Sequence, residues 1–273
     1  MDNDDLTVGS VLTRREILAL FGTVGAGLLA GCLPGVPTSS QGESATASGL
    51  LGGPTSTAAE AAAGTASAAQ AVPVPACVVR PEMTEGPYFI DELLNRSDIR
   101  IDPSDGTQAE GLPLELMFVV SRIAGSGCTA LAGAMVDVWH CDARGVYSDV
   151  EDPGFNTVGK KFLRGYQVSD SNGVARFLTI YPGWYQGRTV HLHFKIRGQD
   201  EAGSGHEFTS QLFFDDDLTD RVYADPPYAS KGQRTLRNEG DRIYLDGGSQ
   251  MTLAPTETAD GYAAVFDIGL QLG

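Results

Sequence analysis

The chain has 273 residues, a formal net charge of −16 and 42% hydrophobic residues. This length fits one or two domains, and the composition is that of a globular protein. The acidic balance argues against a nucleic-acid-binding protein, because phosphate binding requires a basic surface. It also argues against a site that attracts polyanions, so we interpret the charge as a contribution to solubility.

Residues 1–32 have the pattern of an export signal. Arg14 and Arg15 precede an apolar run from Ile17 to Ala30, which is too short and too rich in glycine for a membrane span. The paired arginines indicate the twin-arginine route. The run ends in Leu-Ala-Gly-Cys, which resembles the lipobox of bacterial lipoproteins. Cys32 is therefore either acylated or next to an ordinary cleavage site, and we expect an exported, extracellular or cell-envelope protein whose sole membrane contact would be that lipid.

The segment 33–75 is mostly Ala, Gly, Ser, Thr and Pro, so it cannot bury enough apolar surface to fold and is predicted to be a flexible linker. From residue 76 to residue 273 the pattern is that of one folded domain. In an oxidising compartment, two of its three cysteines, Cys77, Cys128 and Cys141, are expected to form a disulfide. The sequence does not say which two.

Short apolar or alternating segments, separated by turn residues, fill the predicted domain. The predicted strands are Leu114–Val120, Ala134–His140, Gln167–Val168, Val174–Ile180, Val190–Ile196, Phe208–Phe214 and Ala263–Leu270. Asn172-Gly173 predicts a tight hairpin turn between two of them. No long helical periodicity is present after Cys77. The pattern predicts an all-β fold, a β-sandwich of mostly antiparallel short strands with long loops at the active site.

The strand Val190–Ile196 carries the first candidate metal ligands. Because side chains alternate along a strand, His191 and His193 point to one face and the apolar residues between them point to the core. Two imidazoles with this spacing can bind one ion. The pair alone is a weak signal, since it also arises by chance on half-exposed strands.

Two neighbouring segments add aromatic side chains to this pattern. Residues 182–185 read Pro-Gly-Trp-Tyr, which predicts a constrained turn that ends at Tyr185, just before the histidine strand. Residues 137–147 read as a buried strand that turns outward after Ala143 and presents Tyr147. Trp139 within this strand is interpreted as a packing residue.

These motifs resemble those of the intradiol ring-cleavage dioxygenases, which include the catechol, hydroxyquinol and protocatechuate dioxygenases. The resemblance runs from about Cys77 to Tyr244 in the family's order and is closest to the secreted single-domain branch. The segments that carry it are Thr-Glu-Gly-Pro-Tyr at 84–88, Trp-His-Cys-Asp-Ala at 139–143, Pro-Gly-Trp-Tyr at 182–185, Arg-Thr-Val-His-Leu-His-Phe at 188–194 and Ser-Gln-Leu-Phe-Phe at 210–214.

The resemblance implies one non-haem Fe(III) ion per chain, bound by two tyrosinates and two histidines. The implied ligands are Tyr147, Tyr185, His191 and His193. The implied substrate-pocket residues are Gly86, Pro87, Tyr88, Arg188 and Gln211. It further implies that Tyr185 leaves the iron and accepts a proton when substrate binds. Arg188 would stabilise negative charge on the substrate, and Gln211 would help to hold Arg188.

This ligand set suits ferric iron, a hard cation that prefers anionic oxygen. A free phenol has a pKa of about 10, so only a strong local positive charge keeps it ionised near neutral pH. Two phenolates and one hydroxide neutralise the ion, which makes the site less costly to bury. The pattern of Fe(II) oxygenases with two histidines and one carboxylate would require His-x-Asp or His-x-Glu, and this strand has His-x-His.

The expected function is the cleavage of catechol-type diols with O2 to muconate-type diacids. The expected partners are a small aromatic diol and O2, and the sequence leaves a homo-oligomer open. Two alternatives remain, a non-catalytic extracellular β-sandwich binding module with a decayed metal site and a different His-x-His metalloenzyme. Only two residues separate Tyr185 from Arg188, where the protocatechuate enzymes have a longer loop that contains Trp. The substituent on the substrate ring therefore stays undecided.

Overall fold

The computed structural model of the protein describes residues 77–125, 127–200 and 202–272. The predicted export signal at 1–32 and the predicted linker at 33–75 lie outside these residues. Strands dominate the described part, which confirms the all-β prediction. The strands are β1 (Pro113–Ala124), β2 (Gly127–Ala130), β3 (Met135–Trp139), β4 (Glu151–Asp152), β5 (Phe155–Asn156), β6 (Arg164–Val168), β7 (Val174–Ile180), β8 (His191–Gln199), β9 (Gly205–Phe213), β10 (Thr256–Glu257) and β11 (Tyr262–Leu270).

The strands form two main sheets and one small hairpin. The first sheet has the order β10-β11-β1-β2, and β7 also pairs with β1; the second has the order β6-β3-β8-β9; β4 pairs with β5. All pairs are antiparallel except β1 with β11, which are parallel. The predicted strand at Ala263–Leu270 thus completes the first sheet as β11.

The core lies between the two sheets. Along β1, Leu114, Leu116 and Phe118 are buried because alternate side chains of a strand share one face. The ring centroid of Phe118 lies 5.2 Å from that of Phe194 on β8, and Phe194 lies 5.5 Å from Phe266 on β11. Burial of each such side chain contributes about 1.5–3 kcal/mol. The sheets therefore pack face to face as the predicted sandwich.

One predicted pairing is wrong. The turn at 170–173 forms, with Gly173 N donating to Asp170 O at 2.9 Å. However, the strands that it joins lie in different sheets, because β6 pairs with β3 and β7 pairs with β1. Gly173 O also accepts a hydrogen bond from Val120 N at 2.8 Å, which ties the turn to β1. An Asn-Gly turn specifies the local change of direction but not the strand that each arm pairs with.

Short helical segments follow β9, where the sequence predicted none. They are α1 (Asp216–Val222), α2 (Arg242–Leu245) and the 3-10 turns Tyr228–Lys231, Asn238–Gly240 and Gly248–Met251. The acidic run at 215–217 begins α1. Asp215 Oδ1 accepts from Leu218 N at 2.9 Å and caps this helix. None of the helices in the described part is long and apolar enough to cross a membrane.

The disulfide joins Cys77 to Cys128, and Cys141 is a buried free thiol. This answers the pairing that the sequence left open. Cys77 precedes the first strand, so the bond fastens the start of the described chain to β2. Nearby, Gly269 N donates to Val78 O at 2.7 Å, which fastens the same segment to β11.

Candidate active site

Two buried histidines form the base of the site. His191 and His193 stand at the start of β8, on the face opposite the core residue Leu192, and each is 1% exposed. Their Nε2 atoms are 3.1 Å apart. The Nδ1 atom of His191 bonds to Thr189 O at 2.6 Å, so its Nε2 faces the centre of the site. The ring of His193 stacks on Trp139, with centroids 5.1 Å apart and planes at 10°.

Tyr185 reaches the same centre from the turn at 182–185. Its hydroxyl lies 3.1 Å from His191 Nε2. This turn packs tightly against the turn that precedes Tyr147, since a Cβ added to Gly183 would overlap the backbone of 142–143. A Cβ on Gly145 would overlap the carbonyl of Trp184. Only glycine fits at both positions, so close backbone contact holds the two tyrosine-bearing turns together.

Tyr147 closes the site from the other side. It is 1% exposed, and its ring centroid lies 5.8 Å from that of Tyr185 and 6.3 Å from that of His193. Tyr88 stacks on it at 4.4 Å. Its buried hydroxyl makes no hydrogen bond of normal geometry within the described part of the chain. Burial raises the pKa of Tyr147 well above the ordinary value, and the phenol of Tyr185 raises it further.

These donor atoms fit a metal ion. Burial, followed by the charge of Arg188, lowers the pKa of His191 well below its ordinary value, and burial with the neighbouring His191 does the same for His193. Both imidazoles therefore present neutral lone pairs. Donor atoms that share one ion at bond lengths of about 2.1 Å lie about 3–3.5 Å apart, which includes the 3.1 Å between Tyr185 Oη and His191 Nε2 and the 3.1 Å between the two Nε2 atoms. A cation would also give the Tyr147 hydroxyl the partner that it lacks.

The centre differs from the common metal sites of proteins. In residues 77–125, 127–200 and 202–272, no group of three or more His, Cys, Asp or Glu side chains is placed to hold a metal ion. Two histidines and two tyrosines make a different donor set, with two nitrogens and two phenolic oxygens. Because phenolate is a hard anionic donor, this set suits a hard cation better than a soft one.

Arg188 provides a fixed positive charge beside the donors. Its Nε donates to Asp241 Oδ2 at 2.9 Å, and its Nη2 donates to Gln211 Oε1 at 2.6 Å. The remaining nitrogen, Nη1, lies 3.4 Å from His191 Nε2. Burial acts to lower the pKa of Arg188, but the charges of Tyr185 and Asp241 outweigh it and the pKa is raised. The guanidinium is therefore permanently charged and directed at the centre.

Gln211 and the segment 84–88 complete the surroundings. Gln211 is fully buried, and its Nε2 donates to Thr84 O at 2.9 Å, so both ends of its amide are occupied. A Cβ on Gly86 would lie 3.1 Å from His193 Cε1, which shows how closely this segment covers the histidine. Tyr88 Oη donates to Asp152 Oδ2 at 2.8 Å. The predicted site residues thus lie together, and Pro87 lies among them at the exposed surface.

The comparisons with known proteins agree with this arrangement. A family model described as dioxygenase matches residues 84–239, more than half of the chain. The structure of an intradiol ring-cleavage dioxygenase from Tetranychus urticae matches with a TM-score of 0.62 and 28% identity, over 71% of this chain and 95% of that one. The chain belongs to the intradiol ring-cleavage dioxygenases. It is thus an oxidoreductase of this family.

Two curated relatives of this intradiol dioxygenase act on different diols, as their names state. This chain is 30% identical over 173 residues to the protocatechuate 3,4-dioxygenase beta chain of Burkholderia cepacia, and the aligned region covers 59% of this chain and 67% of that protein. This chain is 31% identical over 115 residues to chlorocatechol 1,2-dioxygenase of Pseudomonas putida, and the aligned region covers 35% of this chain and 43% of that protein.

The sequence did not reveal two residues of this intradiol dioxygenase. Asp241 holds Arg188, and Lys231 donates to the carbonyls of Arg144 and Trp184, between the two tyrosine-bearing turns. Asp241 precedes a short helix and could have been predicted as its N-cap. Its contact with Arg188 spans 53 residues, so no local pattern indicates it.

Proposed function

We propose that this intradiol dioxygenase uses one Fe(III) ion per chain to cleave catechol-type diols with O2, giving muconate-type diacids. The observation that carries the proposal is the convergence of Tyr185 Oη and the Nε2 atoms of His191 and His193, each 3.1 Å from its neighbour, beside the buried hydroxyl of Tyr147. The names of the curated relatives support the substrate class.

The residues that would hold the ion are Tyr147, Tyr185, His191 and His193. When bound, ferric iron would supply the Lewis acidity that withdraws electron density from the diol, so that a ring carbon can react with O2. The two tyrosines have different roles in this proposal. Tyr147 is buried and stacked under Tyr88, whereas Tyr185 is half-buried on a turn. Tyr185 is therefore the phenolate that would accept a substrate proton at Oη as the diol binds.

Arg188 would act on the charge that develops during cleavage. Its guanidinium is held before the reaction begins, so it can stabilise negative charge on the diol oxygens and the ring carbon without first reorienting. Arg188 is buried, and in such surroundings a fixed charge acts more strongly than in water. Tyr88, stacked on Tyr147, would exclude water from that side of the site.

Oxygen uptake by the iron-loaded protein tests the function. Catechol, protocatechuate and hydroxyquinol are the substrates to compare, with mass spectrometry of products formed under ¹⁸O2. We expect one O2 consumed per diol and two labelled oxygens in the diacid. The protein should be red-brown through tyrosinate-to-iron charge transfer, whereas a zinc enzyme would be colourless and a binding module would lack stoichiometric metal. Iron-loaded protein that consumes no O2 with any of the three diols would contradict the proposal.

We also propose that the enzyme is exported and works in the cell envelope or outside the cell. The pattern of residues 1–32 supports this, as does the Cys77–Cys128 disulfide, since such bonds persist in oxidising compartments. A lipid at Cys32 would tether the domain through residues 33–75.

A further inference from the structure

Asp241 lies just beyond the segment 84–239 that the family model matches, yet its carboxylate is 1% exposed and fully bonded. Oδ2 accepts from Arg188 Nε at 2.9 Å and from Thr189 N at 2.8 Å. Oδ1 accepts from Ile243 N at 2.8 Å and Tyr244 N at 3.1 Å, and so caps α2. Oδ2 therefore binds Arg188 and the backbone of Thr189, and Oδ1 caps the helix.

The orientation of Arg188 follows from these bonds. Its guanidinium is planar and rigid, so fixing two nitrogens fixes the third. Asp241 holds Nε and Gln211 holds Nη2, which leaves Nη1 directed towards His191, at 3.4 Å. Gln211 is neutral. Within the described residues, Asp241 is thus the sole carboxylate in an ion pair with Arg188.

A second bond fastens the same two segments. Thr189 Oγ1 donates to Asn238 Oδ1 at 2.7 Å, and Asn238 Nδ2 donates to Phe214 O at 2.8 Å. The backbone of Arg188 and Thr189 is thereby attached to residues 238–241 independently of the carboxylate. Removing the charge of Asp241 should therefore change the orientation of the Arg188 guanidinium more than the position of the backbone at 188–189.

We propose that Asp241 is the positioning residue of Arg188, which aims Nη1 at the reacting diol and balances the guanidinium charge until negative charge develops there. This inference rests on the proposed function. Removing one partner of a buried ion pair leaves the other charge uncompensated, and the phenolate of Tyr185, whose charge also acts on Arg188, would be the group left to attract the guanidinium. Arg188 would then stabilise the metal ligand in place of the substrate.

Asp241→Asn is the direct test, because asparagine has the same shape but one acceptor oxygen, which cannot serve both the helix and Arg188. We expect kcat per bound iron for catechol to fall about 10–100-fold. KM should change much less, since the lost interaction strengthens in the transition state. In this variant Arg188 should lie closer to the Tyr185 phenolate, and its charge should shift the tyrosinate-to-iron absorption band to shorter wavelength at unchanged iron content. Asp246→Asn, at the exposed C-cap of α2, is the matched control and should match the wild type.

Two further variants distinguish a loss of Arg188 positioning from a folding defect. Asp241→Ser keeps a side-chain oxygen for the helix cap but has no carboxylate, and it should show the same loss of kcat per iron. In an Arg188→Gln background, Asp241→Asn should cause no additional loss, because residues that act through one another are not additive. A merely structural Asp241 would lower activity equally in both backgrounds.

The outcomes separate this inference from the proposed function. An active wild type, with unchanged kcat per iron and an unshifted band in both Asp241 variants, overturns the inference alone. Poor folding of both variants, with the folded fraction as active per iron as the wild type, also overturns it. A wild type that binds iron but consumes no O2 with catechol, protocatechuate or hydroxyquinol overturns the proposed function and this inference with it.

Discussion

Tyr147 and Tyr185 are held in different ways. The buried hydroxyl of Tyr147 makes no normal hydrogen bond within the described residues, whereas Tyr185 contacts His191 from a half-buried turn. An unpaired buried hydroxyl costs about 1–3 kcal/mol. The fold therefore keeps the Tyr147 hydroxyl unpaired at a free-energy cost that a bound cation would remove. This favours Tyr147 as the permanent ligand and Tyr185 as the exchangeable one.

Tyr147→Phe should lose iron and colour without harming the fold. The variant removes one anionic ligand, and it also removes the unpaired hydroxyl, so the metal-free protein should be as stable as the wild type or up to about 1–3 kcal/mol more stable. Iron content, visible absorption and urea unfolding of the metal-free protein measure these effects. Tyr166→Phe, on β6, is the control and should keep the iron. A fully coloured, active Tyr147→Phe enzyme would show that the ligand assignment is wrong.

Asp137 should make stability depend on pH. Burial raises its pKa from 3.8 to about 6, although Arg197, whose Nη2 lies 3.7 Å away, opposes this. The folded protein thus binds this proton more tightly than the unfolded chain, and stability is lost as the pH rises from about 4 to about 6. Asp137→Asn should therefore be more stable than the wild type at pH 7 by up to about 3 kcal/mol, and much less so at pH 4.

Urea unfolding of the metal-free Asp137→Asn protein at the two pH values measures the difference. Glu115→Gln makes the same acid-to-amide change at an exposed position of β1 and should show little dependence on pH. An equal stability difference at pH 4 and pH 7 would mean that the fold does not disfavour the Asp137 carboxylate.

At the scale of elements, the site depends on the contact between two turns. Residues 142–145 precede Tyr147, residues 182–185 end at Tyr185, and each turn has a glycine where a Cβ would overlap the other. The last residue of the 3-10 turn Tyr228–Lys231 bonds both: Lys231 Nζ donates to Arg144 O and, at 2.5 Å, to Trp184 O. The spacing of the two tyrosines thus depends on a helical segment from a distant part of the chain.

Lys231→Met should loosen this contact. Methionine keeps an unbranched apolar side chain but cannot donate to either carbonyl, and it also removes the contact of the Lys231 ammonium with the Trp184 ring, 4.7 Å from the ring centroid. We expect iron affinity to fall about 10–100-fold, as for the loss of other residues that orient metal ligands. Competition with a chelator measures the affinity. Lys160→Met is the control, because within the described residues the Lys160 ammonium pairs with Asp105 at the surface. Equal iron affinity in the two variants would show that the bonds of Lys231 do not position the tyrosines.

At the scale of the whole molecule, the disulfide closes a loop between residues 51 positions apart. Such a loop stabilises the fold by about 2–5 kcal/mol, mainly by restricting the unfolded chain. The Cys77→Ser, Cys128→Ser double variant should have a free energy of unfolding lower by this amount, and therefore a lower urea midpoint. A reductant should destabilise the wild type and leave the double variant unchanged. If the reductant affects both equally, the stabilisation comes from elsewhere.

Export can be tested on the full chain in a bacterial host. We expect the wild type in the cell envelope fraction or the medium, and Arg14→Lys, Arg15→Lys in the cytoplasm, because the twin-arginine route requires the paired arginines. Cys32→Ser should release the protein from the membrane fraction if the cysteine is acylated. Cytoplasmic wild-type protein would contradict export, and an unchanged membrane fraction for Cys32→Ser would contradict the lipid anchor.

The sequence by itself determined the all-β class, most of the strands and the set of candidate site residues. Alternation along a strand is local, so His191 and His193 could be assigned to one face from neighbouring residues alone. The motifs around Tyr185 and Tyr147 are also short and continuous. The metal-binding roles of these residues remain predictions, whereas their proximity is a property of the structure.

Only the tertiary structure decided which distant segments meet. It placed β6 and β7 in different sheets, paired Cys77 with Cys128, and brought Asp241 and Lys231 to the site. Each of these contacts joins residues that no shared local pattern connects. They depend on how the two sheets and the helical segments pack together, and the short-range periodicity of a sequence does not encode that packing.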